Sequence, residues 1–191
     1  MTSTQTPSRS FVARMLGAAL LLGALHALGA GLANAAELIP SLALTKATDD
    51  NAGDAQVSGG LALRAGLLPF LKTEIGVSYR EQSFYGDQLK LRTWPVTASL
   101  WLTPLPVLYA GGGVGWYQTT FDYSEATLIK DRTDRKFGVH LGGGLEIPIA
   151  PHFGLDLNGR YIFMTKERSE LPPQEFNPDY WSTSLGLAIS F

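Results

Sequence analysis

The chain has 191 residues, enough for one domain and a leader, with 15 Lys and Arg against 17 Asp and Glu and no cysteine. The missing thiols exclude disulfides and thiolate zinc or redox sites, and the slight acidic excess argues against nucleic acid as a partner. Beyond the leader there is no apolar run of ~20 residues, so any crossing of a membrane has to be made by strands.

At the N-terminus, Arg9 and Arg14 precede an apolar run of 18 residues from Met15 to Leu32, followed by Ala33-Asn34-Ala35-Ala36. A transmembrane anchor is one reading of such a run. The small residues after it and the strand-like sequence that follows favour a cleaved signal peptide over residues 1–36, leaving 37–191 as a single domain. Cleavage removes two arginines and no acids, so 13 basic against 17 acidic residues give the remainder a net charge of −4.

From Glu37 onward eight segments have strand character: residues 37–46, 57–67, 72–84, 89–102, 107–121, 135–147, 153–164 and 180–191. Short proline-marked connections, Leu68-Pro69-Phe70, Thr103-Pro104-Leu105-Pro106 and Pro148-Ile149-Ala150-Pro151, alternate with longer charged ones over 47–54, 122–134 and 165–179. Residues 85–88 are a short exception. Such alternation predicts an eight-stranded antiparallel up-and-down transmembrane β-barrel, with tight turns on the periplasmic side and longer loops outside. An even strand count places both mature termini in the periplasm.

The fourth strand breaks its own pattern. Val96, Ala98, Leu100 and Leu102 share a parity that, carried backward, exposes Lys90 and Arg92 to lipid, and Pro95 cannot donate to a ladder. A β-bulge at Trp94-Pro95 is therefore expected, turning Leu89, Leu91 and Thr93 to lipid and the cations inward or to the rim. The glycine clusters Gly111-Gly112-Gly113-Val114-Gly115 and Gly142-Gly143-Gly144 lead into no helical pattern and no Lys-Ser or Lys-Thr, so relief of crowding in a narrow barrel is preferred to a phosphate cradle.

The last three strands carry a length signal. Phe137 and Ile147, Phe153 and Phe163, and Trp181 and Phe191 each stand ten residues apart on the apolar parity. Ten residues at ~3.3 Å each, tilted near 40°, rise about 25 Å, the height of an outer-membrane apolar band. Phe137, Phe153, Phe163, Trp181 and Phe191 are thus candidate membrane-interface aromatics. In the final strand Trp181, Thr183, Leu185, Leu187, Ile189 and Phe191 alternate with Ser182, Ser184, Gly186, Ala188 and Ser190, a face small enough for a filled interior.

The opposite parity selects the interior: Arg64, Glu74, Arg80, His140, Glu146, Asp156 and Arg160, with Asn158. Three cations and three carboxylates suggest a mutually paired plug in a bore just wide enough for side chains, with some of the charges at the wet rims.

The leader, the phrases Tyr109-Ala-Gly-Gly-Gly-Val-Gly-Trp-Tyr117 and Phe137-Gly-Val-His-Leu-Gly-Gly-Gly-Leu-Glu-Ile-Pro148, Arg160-Tyr161 and the terminal Phe191 resemble the small outer-membrane β-barrel family, which includes the membrane domain of outer-membrane protein A and the outer-membrane protein W type. The resemblance covers essentially all of 37–191. It implies residence in the bacterial outer membrane among its lipids, an interior salt-bridge network, and a role for Trp181, Leu185, Leu187, Ile189 and Phe191 as the signal read by the outer-membrane assembly machinery. With nothing after Phe191, tethering to the cell wall is not expected.

Three functions follow as expectations. The first is a non-enzymatic, monomeric barrel with a structural or surface-contact role through its outer loops. The second is a conduit for small hydrophobic molecules, which needs a wall opening near Pro95. The third is a lipid A acyl-modifying enzyme, for which His140 is the one strand-borne histidine. Its same-face neighbour two residues on is Gly142, where the family's deacylases carry serine, so no catalytic, cofactor-binding or metal residue is assigned.

Overall fold

The computed structural model describes residues 36–49, 52–84, 89–123, 132–164, 167–168 and 175–191. The principal strands are β1 (Ala36–Ala47), β2 (Gln56–Leu68), β3 (Leu71–Phe84), β4 (Leu89–Leu105), β5 (Leu108–Tyr123), β6 (Arg132–Ala150), β7 (Phe153–Met164) and β10 (Tyr180–Ser190). Each pairs antiparallel with its neighbours, and β1 meets β10 to close an eight-stranded barrel in the order β1-β10-β7-β6-β5-β4-β3-β2. Closure leaves no strand with a free edge, which is what lets a sheet stand without water on its outer face.

Period-two alternation makes the barrel inside-out. Leu42, Val57, Trp116, Leu141 and Trp181 lie on the outer face and are 58 to 69 % exposed. Arg64, Glu74, Asp156 and His140 are buried within. The tight turns after β2, β4 and β6 share one end with Ala36 and Phe191: the Phe191 N–H donates to Ala36 O (3.0 Å) and the Ser190 N–H to His152 O (2.9 Å). At the other end the Met164 N–H donates to Asp179 Oδ1 at 2.7 Å, tying the end of β7 to the start of β10.

Two local expectations are corrected. Residues 165–179, expected as loop, contain two short strands, β8 (Glu167–Arg168) and β9 (Glu175–Phe176), paired antiparallel. The expected connection at 85–88 and most of that at 122–134 lie outside the described residues.

The second correction concerns Pro95, where there is no bulge. The β4–β5 ladder runs through Trp94↔Gln118, Pro95↔Tyr117 and Val96↔Trp116 without a shift. On the β3 side the register is the same at Val77↔Val96 and Arg80↔Thr93, and only the two intervening pairs are missing from the ladder. Proline removes its donor on that one side, and the strand tolerates the loss without slipping. Parity therefore persists: Leu91 and Thr93 are buried inside, while Lys90 and Arg92 point outward. They escape lipid because β4 has 17 residues, about 40 Å along the barrel axis at the usual rise and tilt, well beyond an apolar band of about 25 Å. There Glu81 of β3 receives them, at 3.9 Å from Lys90 Nζ and 3.6 Å from Arg92 Nε.

The interior ion network as candidate functional site

On the inner face, β6 and β7 place Glu146 directly opposite Asp156. Like charges in register repel unless a cation bridges them. Arg64 does so from β2, across the bore: its Nη1 donates to Glu146 Oε2 at 2.9 Å and to Asp156 Oδ2 at 2.7 Å. Its Nε and Nη2 both donate to Glu74 Oε2, at 3.0 and 2.8 Å. Glu74 is the direct cross-strand partner of Arg64 on β3. One guanidinium thus joins carboxylates from three strands, using the planar fork that suits arginine to buried pairing.

The network extends on both sides of this centre. Arg160 Nη2 donates to the second oxygen of Glu74 at 2.7 Å, and its Nε donates to Asn158 Oδ1 at 2.6 Å. Tyr109 donates its hydroxyl to Asp156 and accepts from Asn158 Nδ2 at 3.0 Å, with the Arg64 guanidinium 4.5 Å from its ring centre. Toward the turn end, Lys72 Nζ bridges Glu37 Oε1 and Glu146 at about 3 Å each. Arg64 and Glu74 are only 1 % exposed, so these ions depend on one another and not on water.

The seven interior residues selected from sequence fall into three groups. Arg64, Glu74, Glu146, Asp156 and Arg160 form the network. His140 stands apart, its Nε2 2.9 Å from Ser99 Oγ. Arg80 lies on the loop side, its guanidinium 3.7 Å from the Tyr180 ring centre. Lys72, Glu37 and Tyr109 join the network beyond these seven, and Lys72 shares the inward parity of Glu74 on β3. A glycine of the neighbouring strand makes the seat of Tyr109: a Cβ on Gly144 of β6 would fall 2.5 Å from the Tyr109 hydroxyl.

The Ser99–His140 contact has the spacing of a nucleophile and its base. Both side chains are buried in the bore, however, and His140 Nδ1 has no partner among the described residues to orient the ring. Among the described residues no group of three His, Cys, Asp or Glu could hold a metal ion. Phe137, Phe153, Phe163, Trp181 and Phe191 all stand on the outer face, 41 to 74 % exposed. Trp181 packs edge-on against Tyr161, and Phe137 against Trp116.

Residues 15–191 match the family described as outer membrane protein beta-barrel domain. No curated protein matches the sequence. Among solved structures, neisserial surface protein A superposes with a TM-score of 0.64 at 16 % identity, covering 82 % of this chain and 97 % of that one. Outer membrane protein OprG of Pseudomonas aeruginosa gives 0.61 at 16 % identity, covering 82 and 96 %. Ail, the attachment invasion locus protein of Yersinia pestis, gives 0.54 at 15 % identity, covering 82 and 98 %. At these identities the likeness is one of fold.

Proposed function

Because the chain belongs to the outer membrane protein beta-barrel domain family, and so to the bacterial outer membrane, we propose that it is a non-enzymatic, monomeric barrel that meets its partners through its outer loops above a blocked bore. The observation that carries this reading is Arg64, which pairs with Glu74 on the next strand and reaches Glu146 and Asp156 across the interior. A bore crossed by such a cluster leaves no continuous water path for solutes. In this reading residues 1–36 are removed on export, both mature termini face the periplasm, and the assembly machinery reads the last strand.

Planar-bilayer recording tests the blocked bore: purified, refolded protein should show no stable conductance steps, and reproducible ohmic steps would defeat the proposal. The non-enzymatic part is tested with lipid A. No fatty acid should be released, and His140→Ala should alter stability alone; release that disappears with that substitution would overturn it.

A second reading, a conduit for small hydrophobic molecules, draws on the two pairs missing between β3 and β4 beside Pro95. Against it, Tyr79 and Trp94 pack over that seam with ring centres 4.7 Å apart. Uptake of a hydrophobic probe that is lost when the gene is deleted and abolished by Pro95→Val would favour the conduit.

A further inference from the structure

On the loop side of the ion network the bore holds a cavity of about 100 Å³. One wall is small and hydroxylated, with Ser41, Ser58 and Ser182, while Tyr117 and Arg80 line it from elsewhere and Glu74 and Arg160 belong to its lining where it meets the network. Arg80 is only 6 % exposed. No carboxylate pairs with it among the described residues, and its Nε is buried without a hydrogen-bond partner there. Tyr117 is fully buried and its hydroxyl is equally unpartnered.

We infer that this cavity binds a small monovalent anion, of halide or formate size, held by the Arg80 guanidinium and the Tyr117 hydroxyl. A guanidinium removed from water carries a large desolvation penalty unless an opposite charge meets it. Stacking on Tyr180, with the guanidinium 3.7 Å from the ring centre, offsets part of that. Water can satisfy the Tyr117 hydroxyl but brings no charge to Arg80. The interior carboxylates are already engaged: Glu37, Glu74, Glu146 and Asp156 are paired with Lys72, Arg64 and Arg160, or, for Asp156, also with Tyr109.

Size and charge both limit the ligand. A space of this volume takes an ion with a few waters and is too small for a sugar or nucleotide. Glu74 at the border is compensated by Arg160, which leaves Arg80 as the uncompensated charge of the lining among the described residues and matches one negative charge better than the two of phosphate or sulfate.

The site is tested in two ways on the refolded barrel. Melting is followed in detergent in sodium chloride, bromide or formate against sodium gluconate at equal ionic strength, gluconate being too large for the cavity. Wild type should be stabilised saturably by the small anions, Tyr117→Phe should need about tenfold more anion for half the effect, as loss of one charge-assisted hydrogen bond implies, and Arg80→Gln should lose the dependence. Crystals soaked in bromide should show an anomalous peak in contact with Arg80.

An empty or water-filled cavity in bromide overturns the inference. So does the same anion dependence in Arg80→Gln, or a bromide peak without saturable stabilisation in solution, which would mean binding at crystal concentration only. If Arg80→Gln does not refold, the bromide map of wild type and the Tyr117→Phe titration decide the matter.

Discussion

At the scale of single residues, the consequence of losing Arg64 differs from that of losing any other cation in the bore. Without it Glu146 and Asp156 face each other across β6 and β7, and Asp156, 5 % exposed at the side chain, keeps only neutral partners. Arg64→Met should therefore destabilise the barrel by about 3–5 kcal/mol, the usual cost of orphaning buried charge. Arg160→Met should cost clearly less, because Arg160 is 20 % exposed and Glu74 retains Arg64. Reversible urea unfolding in lipid vesicles measures both. Equal losses would mean that the bridge between Glu146 and Asp156 does not matter. Alternation was enough to place Arg64, Glu74, Glu146, Asp156 and Arg160 inside, since each lies opposite a lipid-facing neighbour. It could not pair them. Lys72 and Glu146 meet across 74 residues of sequence, and only the stagger between strands determines which side chains share a level of the bore.

At the scale of elements, β4 and β5 show why pattern reading succeeded with one strand and failed with its neighbour. Alternation alone places Val96, Leu100 and Leu102 of β4 outward, whereas the expected bulge sends Leu91 to lipid and the structure keeps it inside, because Lys90 and Arg92 do not have to lie at band height. A strand longer than the band carries its charges past the lipid, so no change of register is needed. In β5 the glycines serve different ends. Cβ atoms built on Gly111 and Gly113 fall 2.0 Å from the carbonyl oxygens of Leu100 and Ala98, whereas one on Gly115 meets only side chains, at 2.9 Å from Tyr117 and 3.0 Å from Thr97. Backbone cannot retreat as a ring can. Gly115→Ala should cost about 1–3 kcal/mol, as other overpacked sites do, and Gly113→Ala substantially more. Gly59 and Gly159 have nothing within 4 Å of a built Cβ, so alanine there should be neutral or stabilise by about 0.4–1 kcal/mol through the unfolded chain. A urea series over these four variants checks the order, and a costly Gly59→Ala would contradict the outward placement of that position.

At the scale of the whole molecule, closure depends on β10, which pairs with β1 on one edge and β7 on the other. Its inner face has to be small: a Cβ on Gly186 would lie 2.8 Å from Ile39 Cγ2. Phe191 is different in kind, because it stands beyond the last ladder pair, Glu37↔Ser190, and is 74 % exposed. Its side chain packs little against the other strands. If the last strand is read as an assembly signal, the two roles separate by experiment. Phe191→Ala should change unfolding stability by less than about 1 kcal/mol and leave unassisted folding into thin vesicles intact, while slowing folding catalysed by the assembly machinery severalfold. Gly186→Val should impair both routes alike, since its clash belongs to the closed state. The comparison is made by following the shift to the compact electrophoretic form over time, with and without the reconstituted machinery. Equal catalysis of wild type and Phe191→Ala would remove the terminal aromatic from the signal and leave it to the outward Trp181, Leu185, Leu187 and Ile189.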